Sequence, residues 1–310
     1  MDTKNLPIGV FDSGVGGLTV AREIFRNLPN EKIIYFGDTA RVPYGNKSPE
    51  TIIRYSKQIS EFLISRHVKA IVIACNTASA MALDAVQATT DIPVIGVVKP
   101  GADAAVHATV SGRIGVIGTV GTIASGLYDR YIKEIMPSAQ VFGKACPLFC
   151  PLVEEGMLDD NVTVEMIHRY LDDMIEENDI DTLVLGCTHY PLIRTVIARE
   201  IGGTYADAAD YSSKSVHREA VNGKPVQAVS LQQCDAVHQN SAAKSIKLVN
   251  PAYTTAIALK ALLAEHGIAS DTPAQPSDHQ FFVSDVPDSF RAFASNVLNL
   301  DIDTVTQKVL

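Results

Sequence analysis

The chain is short of positive charge. Its 26 Lys and Arg face 35 Asp and Glu, for a net charge of -9, and no block of Lys or Arg exceeds two residues. No face can then easily carry the basic stripe that tracks a phosphate backbone, which argues against a nucleic-acid surface. No uninterrupted apolar run approaches the roughly 20 residues of a membrane span. Met1-Asp2-Thr3-Lys4-Asn5 has neither the charged nor the apolar region of a secretory signal, so a cytoplasmic location is expected. Cysteine is scarce and odd in number, five in 310 residues, which argues against a disulfide framework and for free thiols. C-x-x-C, G-x-G-x-x-G and the phosphate-binding P-loop are all absent, so the usual redox, dinucleotide and nucleotide signatures are not met.

What is present is a matched pair of motifs. Ile71-Val72-Ile73-Ala74-Cys75-Asn76-Thr77-Ala78-Ser79 is a β-branched apolar run ending in a cysteine and small polar residues, with a helix to follow. Leu183-Val184-Leu185-Gly186-Cys187-Thr188-His189-Tyr190-Pro191 repeats that pattern in the other half. The carboxyl end of a strand is where open α/β sheets bind ligands. It is also where a helix N-terminus lowers a thiol's pKa and attracts anions.

The chain around these motifs alternates strands and helices. Strands are expected at 8–11, 32–37, 71–74 and 92–97, with a helix from Ser48-Pro49-Glu50 to about 66, serine capping and proline opening it. From Arg113 the series starts again: Arg113-Ile114-Gly115-Val116-Ile117-Gly118 echoes Pro7-Ile8-Gly9-Val10-Phe11-Asp12. Gly9 to Gly115 spans 106 positions and Cys75 to Cys187 spans 112. A nearly constant offset points to a duplicated α/β unit. The fold expected is two similar domains with mainly parallel sheets flanked by helices, related by an approximate two-fold axis, with the active site in the cleft between them. Residues 161–178 keep an amphipathic helical period, and further elements are expected at 246–250, 252–265, 279–283 and 287–298. Cys146 and Cys150, among Pro and Phe and with no nearby His or Cys at finger spacing, read as buried small hydrophobes rather than metal ligands. Residues 202–245 are rich in Ser, Ala, Gln and Asp; Cys234 lies there, and His217 and His238 read as solvated.

Two opposed thiols allow a redox pair, a metal site, a nucleophile with a spare, or an acid and base acting on one carbon. A redox pair lacks its spacing, and catalytic zinc needs three ligands where only His189 lies near either thiol in sequence. Acid–base chemistry fits better: a thiolate removes a proton from one face of a carbon while the opposite thiol delivers one, inverting its configuration with no cofactor. Asp12 is placed to orient or deprotonate Cys75, and His189 to serve Cys187. Taken alone, Asp12 reads as a plain turn or helix cap, and Pro43-Tyr44-Gly45 as a plain turn. Ser13, Asn76, Thr77, Thr119, Thr122 and Thr188 are small polar groups at strand ends, suited to a substrate bearing carboxylates and an amine.

These residues resemble the glutamate racemases of the aspartate/glutamate racemase superfamily. The resemblance rests on Gly9-Val10-Phe11-Asp12-Ser13-Gly14-Val15-Gly16-Gly17-Leu18, Arg41-Val42-Pro43-Tyr44-Gly45, Ala74-Cys75-Asn76-Thr77-Ala78-Ser79, Pro151-Leu152-Val153-Glu154-Glu155-Gly156, Gly186-Cys187-Thr188-His189-Tyr190-Pro191 and Leu248-Val249-Asn250-Pro251-Ala252. It implies cofactor-independent interconversion of L- and D-glutamate, supplying peptidoglycan in a bacterial cytoplasm. Cys75 and Cys187 then look like the catalytic thiols, with Asp12, His189 and, less directly, Glu154 assisting. Substrate contacts are implied at Asp12, Ser13, Pro43, Tyr44, Gly45, Asn76, Thr77, Thr188 and His189, with no metal. The implied domains are 1–98 plus about 212–310, the C-terminal segment returning to the first unit, and 99–211. A homodimer is implied, and a contact with DNA gyrase alongside it. The departure from the family is an insertion at about 204–245, which puts domain packing, dimerisation and activity in question. Rival readings are an aspartate or hydantoin-type racemase, or a cleft that binds an amino acid without turning it over.

Overall fold

Alternating apolar residues on strands covered from both sides explain the architecture of the computed structural model, which describes residues 3–205, 245–298, 302 and 304–310. Cys234, His217 and His238 lie outside these residues, as does nearly all of the expected insertion. Strands β1 (Ile8–Asp12), β2 (Ile33–Gly37), β3 (Ala70–Ile73) and β4 (Val94–Gly96) belong to one sheet; β5 (Arg113–Gly118), β6 (Gln140–Ala145), β7 (Thr182–Gly186), β8 (Gly203–Tyr205) and β9 (Ile246–Val249) form a second. The last two strands, β10 (Gln280–Val283) and β11 (Val305–Gln307), return to the first. The strand orders are β11-β10-β2-β1-β3-β4 and β6-β5-β7-β9-β8, and every pairing is parallel.

The echo in sequence is an echo in space. β1 sits between β2 and β3 just as β5 sits between β6 and β7, so Cys75 and Cys187 follow equivalent strands. In the first sheet Ile8, Val10, Tyr35 and Val72 pack on one face with Leu18, Ile24 and Leu259. Phe11, Phe36, Ile71 and Ile73 pack on the other with Ile52, Ile59 and Leu63. The second sheet does the same, with Ile114, Val116 and Val184 on one side and Leu183 and Leu185 on the other. Period-two alternation with both faces apolar is what a parallel sheet between helix layers requires.

One expected boundary moves. The first unit is expected to include residues from about 212 to 310, yet β9 pairs with β7 and β8. Its Ile246 and Leu248 pack into the core of the second sheet. The return begins at helix Pro251–Glu265, whose Ala252, Ala256, Leu259 and Leu263 join the core of the first sheet.

Other local expectations hold. Ser48 caps helix Pro49–Ser65 through Thr51 N, helix Asn161–Asn178 is capped by Asp160, and helix Pro287–Leu298 has the expected limits. Below the first sheet Lys69 (0 % exposed) pairs with Glu31 (3 %) at 2.6 Å. Its ammonium also donates to the carbonyls of Lys4 and Ile268, at 2.7 and 2.8 Å. This buried cation thus ties the entry of β3 to the N-terminal segment and to the loop after helix Pro251–Glu265.

Candidate active site

Cys75 stands where β3 ends and helix Asn76–Gln87 begins, and its sulfur is the helix cap, accepting from Ala78 N at 3.5 Å. Its thiol donates toward Ser13 Oγ at 3.6 Å. The residue is 6 % exposed. Burial, reinforced by the negative charge of Asp12 and opposed by the Ala78 and Ser13 contacts, pushes the Cys75 thiol up to about 12. Asp12 itself, fully buried at the end of β1, accepts from Gly14 N at 2.9 Å. Its carboxyl is raised by burial, with His189 and nearby backbone N–H groups pulling the other way. Asp12 is therefore a turn former, not a helix cap: the cap of helix Leu18–Asn27 is Gly17.

Cys187 follows β7 and is equally buried. Its sulfur lies 3.5 Å from Cys150 Sγ and 3.8 Å from His189 Nδ1. Cys150 and burial hold its pKa well above the ordinary thiol range, against the pull of His189. His189 Nε2 lies 2.9 Å from Glu154 Oε1. Burial disfavours the imidazolium, but Cys187 on one ring nitrogen and Glu154 on the other outweigh it and push the His189 pKa up to about 10.

Contacts between the halves draw the polar residues together. The Thr77 hydroxyl meets those of Thr119 and Thr122 at 2.8 and 3.2 Å, and Tyr128 Oη donates to Asn76 Oδ1 at 2.7 Å. The Thr19 hydroxyl lies 3.0 Å from the Thr188 carbonyl. A Cβ added to Gly16 would fall 2.4 Å from Thr188 Oγ1 and 2.6 Å from the His189 ring, so the first loop touches the second motif as only glycine can. Asn76, Cys187 and Thr188 line one small cavity between the halves.

Not every expected contact faces that cleft. Tyr44 is buried and its hydroxyl donates to Asp38 Oδ2, while Pro43 is exposed on the approach to that turn. Gly45 abuts Thr119, whose Cβ would be 2.9 Å from an added methyl. Thr77, Thr119 and Thr122 satisfy one another, whereas Ser13, Asn76, Thr188 and His189 lie beside the thiols. Cys146 is a buried hydrophobe as read, but Cys150 is not: it is partly exposed and its sulfur is on Cys187. A signal for this was present, because helix Phe149–Glu154 places Cys150 and Glu154 four residues apart on one face. Tyr128 and Thr19 give no local signal, since each acts through a partner distant in sequence, and Asp38 gives none because no periodicity marks it as the acceptor for Tyr44, six residues on.

Burial and the neighbouring groups thus favour the protonated form of both thiols at neutral pH. Alkylation of Cys75 by iodoacetamide should be slow there and rise about tenfold per pH unit as the thiolate fraction grows. Peptide mapping after timed alkylation checks this; a plateau below about pH 9 would mean an ordinary thiol.

The arrangement suits acid–base chemistry from two sides of one cleft. Residues 8–212 match the family model for Asp/Glu/hydantoin racemases, and the chain belongs to that family. A glutamate racemase from Geobacter metallireducens is 45% identical over 300 residues, covering 97% of this chain and 95% of its own. One from Chlorobaculum tepidum is 43% identical over 290 residues, with 93% and 91% covered. Among solved structures, a glutamate racemase isoform from Bacillus anthracis superposes with a TM-score of 0.81 at 36% identity, covering 99% of this chain and 98% of that one. The Francisella tularensis glutamate racemase in complex with D-glutamate gives 0.79 at 33% identity, with the same coverage. Among the described residues no helix is long and apolar enough to cross a membrane.

Proposed function

We propose that this racemase interconverts L- and D-glutamate by moving the α-proton between Cys75 and Cys187 across the cleft, with no cofactor. The observation that carries the reading is the placement of one buried thiol at the end of each of two equivalent strands, β3 and β7. Cys75 and Cys187 are the acid and base, exchanging roles with the enantiomer bound. Both are protonated at rest, so the base is formed on binding, when the substrate ammonium adds positive charge between them and stabilises a thiolate. Asp12 takes up or orients the Cys75 proton. His189, held by Glu154 and raised toward its imidazolium form, orients the Cys187 thiol and stabilises its thiolate. Ser13, Asn76, Thr188 and the first turn of helix Asn76–Gln87 receive the substrate carboxylates, and the Tyr44-Gly45 turn with Pro43 shapes the wall against Thr119. Thr77, Thr119 and Thr122 clamp the two halves around the ligand.

D-Glutamate made this way supplies peptidoglycan in a bacterial cytoplasm; a homodimer and a contact with DNA gyrase are carried by the family resemblance alone. The decisive test is circular dichroism on L-glutamate and, separately, D-glutamate in deuterated water, with mass spectrometry of the product. Both signals should decay to zero with deuterium at the α-carbon. Binding of glutamate with no change in either signal would make the chain a sensor instead.

A further inference from the structure

Cys150 is assigned no step in the proton transfer, yet it completes a set of ligands. The donor atoms of Cys150, Cys187 and His189 lie within 4.8 Å of one another. The two sulfurs are 3.5 Å apart, and Cys187 Sγ is 3.8 Å from His189 Nδ1. A tetrahedral zinc ion, with Zn–S bonds of about 2.3 Å and Zn–N of about 2.05 Å, sets such neighbours about 3.8 and about 3.6 Å apart. The spacing therefore suits the ion with small movements of the side chains.

The surroundings fit as well. A metal-bound histidine turns one nitrogen to the ion and usually donates from the other to a carboxylate, which fixes the ring. His189 Nε2 is already on Glu154 Oε1 while Nδ1 faces the thiols. Cys187 and His189 are 6 % and 5 % exposed, and the partly exposed Cys150 marks a way in. These three groups leave a fourth position for water or a substrate carboxylate. Two thiolates and an imidazole are donors that favour zinc over magnesium or calcium.

We propose that Cys150, Cys187 and His189 form a zinc-binding site, and that the bound ion switches racemisation off by occupying Cys187 Sγ. As each zinc–sulfur bond forms, the thiol proton passes to solvent, and any proton on His189 Nδ1 leaves likewise; no oxidation is involved. The inhibitory part rests on Cys187 acting as an acid–base group, whereas the binding part does not.

Cobalt(II) is the probe, added to the full chain under a non-chelating phosphine reductant. One equivalent should produce thiolate-to-cobalt charge-transfer absorption and tetrahedral d–d bands, both bleached by zinc. Cys150→Val and Cys150→Ser, the second nearly the size of cysteine, should each weaken cobalt binding about tenfold or more. In parallel, one equivalent of zinc should stop the wild-type racemase and a chelator should restore it. Each variant, measured against its own chelated activity, should need about tenfold more zinc. Absence of the charge-transfer band in wild type, or equal metal affinity in both variants, overturns the site. Tight cobalt binding with racemisation unaffected by zinc overturns the switch. A chelated wild type with no racemisation defeats the racemase reading, while the cobalt spectrum still decides the metal site.

Discussion

Serine in place of Cys75, or in place of Cys187, should abolish racemisation, lowering turnover by about 10²–10⁴-fold, the usual contribution of a positioned acid or base. The exchange preserves volume and leaves a hydroxyl in place, so the buried strand ends keep their packing and glutamate still binds. What is lost is acidity: an alcohol holds its proton far more tightly than a thiol, and these sites already raise the thiols, Cys75 through burial and Cys187 through Cys150 and burial. Under the proposed two-thiol mechanism both substitutions should therefore be severe, because each turnover would need one group to take a proton and the other to give one. Polarimetric or dichroic turnover, with thermal unfolding as the control, measures the effect. Full activity in either single variant would sink the two-thiol mechanism.

Lys69→Met should lower stability by about 3–5 kcal/mol, the range for breaking a buried ion pair from one side. Methionine fills much of the same space, so the loss is not a cavity. Glu31 would be left with a buried charge lacking its cation, and the carbonyls of Lys4 and Ile268 would lose their donor. Adding Glu31→Gln removes that stranded charge while keeping an acceptor for Ser270 N, which bonds Glu31 Oε1 at 2.8 Å. The double variant should thus recover part of the loss. Urea unfolding of the four proteins forms the cycle; strictly additive single losses would show that the pair is not coupled.

The sequence made the two sheets legible because their strands are short, β-branched and covered on both faces, and because the same pattern occurs twice. Cys75 and Cys187 were readable for the same reason: a cysteine directly after such a strand has its position set by the strand. Asp12 and His189 followed from their adjacency to those ends. The pairing of β9 was not readable, since Ile246–Val249 suits either sheet and only the tertiary partners β7 and β8 decide. Tyr44 was placed by its turn but not by its hydroxyl, because Asp38 is a nearby acceptor that no periodicity reveals. Cys150 was misread through its Pro- and Phe-rich context. Hydrophobic neighbours describe one side of a side chain, and its other side met Cys187.

The surroundings of the two thiols are unequal: Cys75 has Asp12 and Ser13 beside it, while Cys187 has Cys150, His189 and Glu154. Mirror-image forms of one amino acid have equal free energies in water, so their equilibrium constant is one whatever the protein does. The ratio kcat/KM must then be the same from L to D as from D to L. The lopsided neighbourhoods are free only to trade kcat against KM: a direction that binds more tightly must turn over more slowly in the same proportion. Asymmetry in this cleft can set which enantiomer the enzyme holds longest, and at what concentration each direction saturates, but never which one accumulates.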